Sequence, residues 1–388
     1  MPGRDHDEAK VAAPPGASVV RAGVDSEEVA EEELDDVLAS LTESLRLLRR
    51  AIGYAEGMAM AMDPDVLIPT QFAATFSISP QMALLACRNE QQEDDFYQFR
   101  QLAVSPSPVA TLSLDHDAEC AQSSRWQQLL IPRGRRHELR AALVDSQGVC
   151  WGALALYRRD GIRFSHSDVE TVRRLLPAQA SHLARSMFKS RAPGTPSHPT
   201  SVLIDEDGSM IDAPESARFW LEEFRRSDSL DRVGMILTSL AALVRLLRQK
   251  ETNRGQVQVR MRSGGGSWTT FLAESLGGNR LGLAIPVIVM ATDPAQLVSL
   301  QIAAFSLSDR ESDVVHHVLD GLDTRAIAGR LCISVLTVQD HLKSIFEKTG
   351  VHSRRELTFL LGRNPTNPSH IAGVRRLPRA GPGKSASE

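Results

Sequence analysis

LSDRESDVVHHVLDGLDTRAIAGRLCISVLTVQDHLKSIFEKTGVHSRREL, residues 307–357, is the stretch that decides how the C-terminal part of this chain folds. Its helix starts and stops are spelled out locally. Ser308 with Glu311 and Ser353 with Glu356 have the capping-box spacing, in which a hydroxyl satisfies one orphan N–H and an acid three residues on reaches back to another. Gly321 and Gly350 stand where a helix closes in the left-handed conformation. Between them, TRAIAGRL and VLTVQDHLKSIFEKT flank the three-residue turn Cys332-Ile333-Ser334. Helix, tight turn, helix is the layout that lays its second helix in a major groove.

The second of these helices has two faces. At about 100° per residue, Val338, Leu342, Ile345 and Phe346 share a side that must be buried. Leu336, Asp340, Lys343 and Glu347 point the other way, flanked by Thr337, Gln339 and Ser344. Ser334 is an N-cap, and the free N–H groups and positive dipole at its end of the helix suit a phosphate. His341 has no partner at metal-ligand spacing and reads as a groove-edge or phosphate-contacting residue.

The residues carry a resemblance to the LuxR/FixJ-type DNA-binding domain. Leu307 to Glu311 matches the opening L-[ST]-x-R-E, and Gly321 to Leu331 loosely matches the helix that follows. Ile333 to Ile345 matches I-S-x-x-T-V-x-x-H-[LV]-x-x-I, and Lys348 to Glu356 matches K-x-G-V-x-S-R-x-E. The resemblance implies a dimer on two half-sites of double-stranded DNA, with the last helix, Ser353–Leu361, in the dimer contact. Carried onto this chain, it assigns DNA binding to Thr324, Ser334, Thr337, Val338, Gln339, Asp340, His341, Lys343, Ser344, Lys348 and Arg354.

Two departures bear on affinity. Where much of the family has lysine after T-V, this chain has Gln339 followed by Asp340. Across 307–363 eight Arg and Lys face eight Asp and Glu. Affinity for DNA leans on phosphate neutralisation, so non-specific binding should be weak. The reader then depends on Lys343, Lys348 and Arg354, on dimerisation, or on a basic tail. A helical bundle that binds another protein is the bland alternative.

Composition sets the outer bounds. The 388 residues carry 44 basic and 48 acidic side chains, net −4, which leaves room for roughly two to four domains. No apolar run reaches the ~18 residues of a membrane span, and MPGRDHDEAK is the opposite of a basic signal-peptide start. Cys87, Cys120, Cys150 and Cys332 are far apart and form no CxxC, which suggests reduced, mostly buried thiols in a cytoplasmic protein. Residues 1–25, in an acidic N-terminal region, and the basic 364–388 read as disordered tails. Gly381-Pro-Gly-Lys-Ser385 ends like a phosphate-binding loop, but Pro378 stands where its first glycine belongs.

Ahead of the reader the chain alternates in character. Residues 26–62 read as one helical segment, with Leu34, Leu38, Leu41, Leu45, Leu48 and Ile52 in an a/d seam. That seam fits a dimerising coiled coil or an amphipathic helix packed on the next domain. Residues 63–190 mix helices and strands. Arg100–Leu114 is strand-like, and Leu139–Val144 and Val149–Tyr157 make a hairpin around Asp145-Ser146-Gln147-Gly148. Ser165 caps a closing helix that buries Val169, Val172, Leu175, Leu176, Ala180 and Leu183. This order resembles a GAF domain, a sheet flanked by helices that often holds a small ligand; the ELRAAL, CWGAL and FSHSD phrases look like GAF-type sensors of actinobacterial regulators. RAPGTPSHPT, 191–200, is a linker, and 201–292 begins as PAS domains do, with strand, Asp-Gly turn, strand and helix, then a hairpin around Gly264-Gly265-Gly266. Residues 293–306 are a connecting segment, predicted as a short helix started by Asp293-Pro294 and packed on one or both neighbours.

The expected fold class is therefore multidomain, with α+β GAF-like and PAS-like sensor units before an all-α four-helix reader at 307–363. Nothing in the sensors commits to catalysis. His116, Asp117, Glu119 and Cys120 read as a polar loop, and no nucleophile constellation, paired-carboxylate site or receiver-type phospho-acceptor pattern is present. No cofactor or metal is expected and the sensed ligand is unnamed. The expected function is a non-enzymatic, sequence-specific transcriptional regulator, a homodimer whose partners are double-stranded DNA and a small-molecule effector, with no membrane contact. A scaffold that has lost DNA binding and a cofactor-binding sensor enzyme are the rival readings.

Overall fold

The computed structural model describes residues 36–92, 94–159, 161–188, 199–218, 221, 232–249, 255–263, 267–274 and 284–361. The expectations for both tails, for most of the 191–200 linker and for the triple glycine lie outside the described residues.

Helix α1, Asp36–Ile52, buries Val37, Leu41, Leu45 and Leu48. It does not run on to 62. Gly53 takes φ +62°, a conformation only glycine enters without strain, and its N–H closes the last turn on the Arg49 carbonyl. Strand β1, Glu56–Asp63, follows at once. The sequence EGMAMAMD alternates large and small side chains, a period of two that a strand sorts onto opposite faces and a helix does not. The leucine seam is spent inside the molecule. Leu41, Leu45 and Leu48 pack in one core with Val172, Leu176, Ala180 and Leu183 of the closing helix, which is what the packed-helix reading required.

The first unit continues with β2 (Ile68–Ala74), α2 (Pro80–Gln92), α3 (Phe99–Val104), β3 (Val109–Ser113), α4 (Glu119–Gln122), β4 (His137–Val144), β5 (Cys150–Arg158) and α5 (His166–Ser186). Its antiparallel sheet has the order β2-β1-β5-β4-β3. The β4–β5 hairpin turns where the sequence placed it, and Ser165 caps α5 by accepting from the Asp168 N–H at 3.1 Å. Arg100–Leu114 is not one strand. Phe99 and Leu102 bury one face of α3, and Ser105, which precedes Pro106, is pushed into extended backbone that ends the helix. Only from Val109 does a strand form.

The second unit is built to the same plan. Strands β6 (Thr200–Ile204), β7 (Met210–Asp212), β8 (Gln256–Arg262), β9 (Trp268–Glu274) and β10 (Ile285–Ala291) pair in the order β7-β6-β10-β9-β8, which repeats the first unit's order strand for strand. Helix α6, Arg232–Gln249, supplies Val233, Ile236, Leu237, Leu240 and Val244 to its core. The two units are tied by a buried ion pair: Asp63 accepts from Arg260 Nε at 2.9 Å, Nη2 at 2.7 Å and the backbone N–H at 2.7 Å. Burial opposes the charge on Arg260, but Asp63 and Asp65 hold the guanidinium protonated. Phe188 stacks on Trp268 with centroids 5.3 Å apart, and Arg232 donates to the Thr70 carbonyl.

Helix α7, Pro294–Ala304, starts as expected, with Asp293 accepting from the Ala295 N–H at 3.0 Å. Its residues divide between two cores. Leu300 and Ala304 join the first unit's core, while Val298 and Ile302 join that of the reader. Gln301 also donates to the Leu360 carbonyl at 3.0 Å. The reader is four helices: α8 (Asp309–Leu319), α9 (Thr324–Leu331), α10 (Val335–Thr349) and α11 (Arg354–Leu361). Chain and fold agree on the class: a multidomain protein with two antiparallel α+β units followed by an all-α domain.

Candidate functional site

Ser334 Oγ accepts from the Thr337 N–H at 3.0 Å and so opens α10, which Gly350 closes at φ +73°. The first helix of the reader is capped in the same way, with Ser308 accepting from the Glu311 N–H and Glu311 Oε2 accepting from the Ser308 N–H. At α11 the return contact differs from expectation. Glu356 Oε2 accepts from the N–H of His352, one residue before the capping Ser353.

The eleven expected contact residues, eight of them on α10, separate by environment. Val338 is fully buried with Leu342 and Ile345 in the reader core, so its assignment to DNA is corrected: a branched apolar side chain facing Ile327 and Val314 holds the turn closed and cannot reach a base. Gln339, Asp340 and Lys343 are exposed along one stripe with Leu336 and Glu347. Thr337 and His341 lie half-buried at its borders, and the Ser334 and Thr337 hydroxyls pair at 2.8 Å.

The remaining four are clips between helices. Ser344 Oγ donates to Glu311 Oε1 at 2.6 Å, and Lys348 Nζ donates to Glu311 Oε2 at 2.6 Å and to the Ser306 carbonyl at 3.3 Å. Burial works against ionisation of Glu311, but donation from Lys348, Ser344 and Ser308 outweighs it and holds the carboxyl at about 2. Arg354 donates to the Leu322 carbonyl at 3.0 Å and to Thr324 Oγ1 at 2.9 Å, fixing α11 against the start of α9. Glu311 is the residue that sequence reasoning undervalued. Its capping spacing was visible, but its partners 33 and 37 positions on were not.

Cys332 is the exposed one of the four cysteines. It takes φ +54°, its backbone N–H closes α9 on the Ala328 carbonyl, and its thiol makes only a long contact of 3.9 Å to the Gly329 carbonyl. Cys87, Cys120 and Cys150 are buried, and burial pushes each thiol up to about 12. Of the expected polar loop only His116 and Asp117 lie in the turn after β3, where Asp117 accepts from the Ser113 N–H at 2.6 Å; Glu119 and Cys120 begin α4. Among the described residues no group of three His, Cys, Asp or Glu is placed to hold a metal.

The first unit encloses a cavity of ≈ 70 Å³ between α2 and one face of its sheet. Met58, Met60, Phe72, Met82, Phe99 and Tyr157 line it, and Met235 of the second unit's α6 reaches it too. Its arginines are already committed to carboxylates. Arg125 donates to Glu138 at 3.1 Å, Arg135 to Glu56 at 2.9 Å and Arg140 to Glu90. Arg135 also lies 4.1 Å over the Tyr157 ring. The space left is apolar, and smaller than the ~150 Å³ void that accepts a benzene. A larger guest needs the walls to move, which unbranched methionines allow. The GAF resemblance implied a ligand-holding unit, but no residue pattern marked this lining, because it comes from strands and helices far apart in the chain.

Comparison with known proteins bears on the reader most directly. The profile of the family described as "Bacterial regulatory proteins, luxR family" matches residues 305–361. A nitrate/nitrite response regulator protein homolog of Haemophilus influenzae is 42% identical over 55 residues, which is 14% of this chain and 26% of that relative's length. Among solved structures, the GAF domain of a two-component sensor histidine kinase from Bacillus halodurans aligns with 39% of this chain and 92% of its own at 16% identity and a TM-score of 0.27. Escherichia coli SdiA aligns with 83% of this chain and 90% of its own at 13% identity and a TM-score of 0.21. A Vibrio cholera VqmA–ligand–DNA complex aligns with 45% and 84% at 18% identity and a TM-score of 0.20. Among the described residues no helix is long and apolar enough to cross a membrane. The profile match and the capped four-helix fold together identify residues 305–361 as a luxR-family helix-turn-helix domain, carried behind two α+β units.

Proposed function

We propose that this chain is a sequence-specific, DNA-binding transcriptional regulator, non-enzymatic and cytoplasmic, that acts as a homodimer under the control of a small molecule. The observation that carries this reading is the exposed stripe Gln339–Asp340–Lys343 on a helix whose opposite side is locked into a luxR-family core. Its chemistry suits base edges: a glutamine pairs with adenine through N6 and N7, an aspartate accepts from cytosine N4, and a lysine donates to guanine. Asp340 is unfavourable near phosphates unless such a contact exists, so it acts as a specificity residue. In this reading Thr337 and His341, at the stripe's border, and Ser334, at its N-terminal end, contact phosphates, which the free N–H groups and positive dipole of a helix start favour. Thr324, Ser344, Lys348 and Arg354 serve the interface by fixing helix geometry.

Asp340→Ala is expected to change the preferred site selected from random duplexes and to raise non-specific affinity. Lys343→Ala should cost about 1–3 kcal/mol at one base position if it reads a base, and a uniform loss with a shallower salt slope if it holds a phosphate. Binding to genomic fragments across a salt series is the direct test of the whole reading. The rival scaffold reading draws on a specific observation, the commitment of Lys348 and Arg354 to internal partners in a region of balanced charge. An absence of binding even at low salt would favour it. For the sensor we propose that the apolar cavity is the effector site. The absorption spectrum of the purified protein tests the competing cofactor-bound enzyme.

A further inference from the structure

Leu336 is the anomaly of the stripe. It is 67% exposed, and Val335 beside it is 40% exposed, so the first turn of α10 opens with two bare apolar side chains. Single exposed leucines are common on protein surfaces, but the placement of this one is specific. At about 100° per residue it falls between Asp340 and Lys343 and opposite Val338 and Ile345, which are buried. It therefore occupies the middle of the outward stripe, flanked by the side chains best suited to hydrogen-bond bases. It is also in the part of a recognition helix that meets base edges first. Leucine can neither donate nor accept there. The apolar group that a base pair presents in the major groove is the 5-methyl of thymine.

We infer that Leu336 reads the methyl group of a thymine, with Val335 widening the apolar contact. The inference rests on the DNA-binding function proposed above and adds the chemistry of one base position. It explains why a stripe poor in cation can still discriminate: one position is chosen by methyl burial, which no phosphate contact supplies.

The test uses the full-length protein and a duplex selected from random sequence. Each thymine is replaced in turn by deoxyuridine, which removes only the methyl, and affinity is followed by fluorescence anisotropy for wild type and Leu336→Ala. At one thymine per half-site, uracil should weaken the wild type about fourfold per contact, the worth of one buried methyl. Leu336→Ala should be weaker on the parent duplex and indifferent to that uracil. A wild type that binds the parent tightly and every uracil duplex equally well overturns the assignment while leaving the DNA-reading function intact. 5-Methylcytosine carries the same methyl, so affinity that follows cytosine methylation with no thymine effect also overturns it. If no duplex is selected at all, the function proposed above fails and this assignment with it. Because Leu336 is exposed, its truncation spares the core, and the uracil arm needs no protein variant.

Discussion

Truncating Leu300 to alanine separates two faces of one short helix. Leu300 is 6% exposed and sits with Ala304 in the first unit's core, whereas Ile302, two residues on, packs with Val314, Val338 and Leu357 of the reader. Removing a buried leucine side chain costs about 2–5 kcal/mol, and the lower end applies where neighbours can close over the gap, as at a junction between units. Even about 2 kcal/mol is a factor of roughly 30 in the ratio of docked to undocked α7. Hydrogen exchange read by mass spectrometry resolves the outcome by peptide. In Leu300→Ala, peptides from 294–304 should exchange faster while those from 309–349 keep their protection. Ile302→Ala should instead lower protection within the reader. The four tryptophans, at 126, 151, 220 and 268, all precede α7, so intrinsic fluorescence reports the two α+β units alone. Leu300→Ala should lower their melting temperature and Ile302→Ala should not. Unchanged exchange over 294–304 in Leu300→Ala would refute the claim that this helix is docked. A loss of reader protection equal to that in Ile302→Ala would refute its division into two faces.

Three further outcomes are expected. Leu41→Asp with Leu48→Asp places two charges in a closed core, so the first unit should unfold with no folded monomer formed; a well-folded monomer in sedimentation would restore the coiled-coil reading of the seam. A disulfide reagent should label Cys332 quickly in the native protein and Cys87, Cys120 and Cys150 only on unfolding, since burial holds those three thiols at about 12; a second fast thiol contradicts this. Glu311, lowered from 4.5 to about 2, contributes stability that is complete above the unfolded value and lost as pH falls through the folded one. The melting deficit of Glu311→Gln should therefore be full near neutral pH and shrink between about pH 4.5 and 2; a deficit constant over that range would show that geometry, not charge, is what the carboxylate supplies.

What the sequence revealed was what neighbours in the chain decide. Ser308, Ser334, Ser165 and Asp293 cap helices because their partners are two or three residues away, and the β4–β5 hairpin is set by its own turn. The seam in α1 was legible as periodicity, but not what it packs on, because a leucine stripe looks the same to a second copy as to α5. The run through 62 was misread since MAMAM is apolar at every position. Only the left-handed Gly53 and the alternation of size tell strand from helix there. Val338 shows the limit of transferring a motif: a residue in the matched pattern serves the turn's packing and not the base edge. Ser344, Lys348 and Arg354 also have partners across the bundle that no local pattern announced. The cavity and the Asp63–Arg260 tie had no local signature at all, the latter joining residues 197 positions apart.

The layout of the first unit constrains how an effector could reach the reader. Its sheet sorts alternate residues: Met60, Ala153 and Tyr157 face the cavity side, while Ala59, Leu154 and Leu156 face α1, α5 and the docked end of α7. A guest in the cavity and the reader's helix thus lie on opposite faces of one sheet. A ligand shifts an equilibrium only by its differential affinity for two arrangements, so occupancy must change either the sheet's shape or the seat of α2 against α6, where Met235 closes the cavity. The second route loads the Asp63–Arg260 tie between the units; the first loads Ala59 and Ala61 of β1 and Leu154 and Leu156 of β5, which pack in one core with α1 and α5. Met235→Ala discriminates between them. Met235 is buried beside Ala83 and Cys87, so its truncation enlarges the cavity and loosens α2 from α6 without touching the α5–α7 dock. If the signal passes between the units, the variant should still take up a small apolar probe but lose the probe-induced change in exchange over 294–304. If that change survives in full, the sheet itself carries the signal and the inter-unit contact serves only to hold the cavity shut.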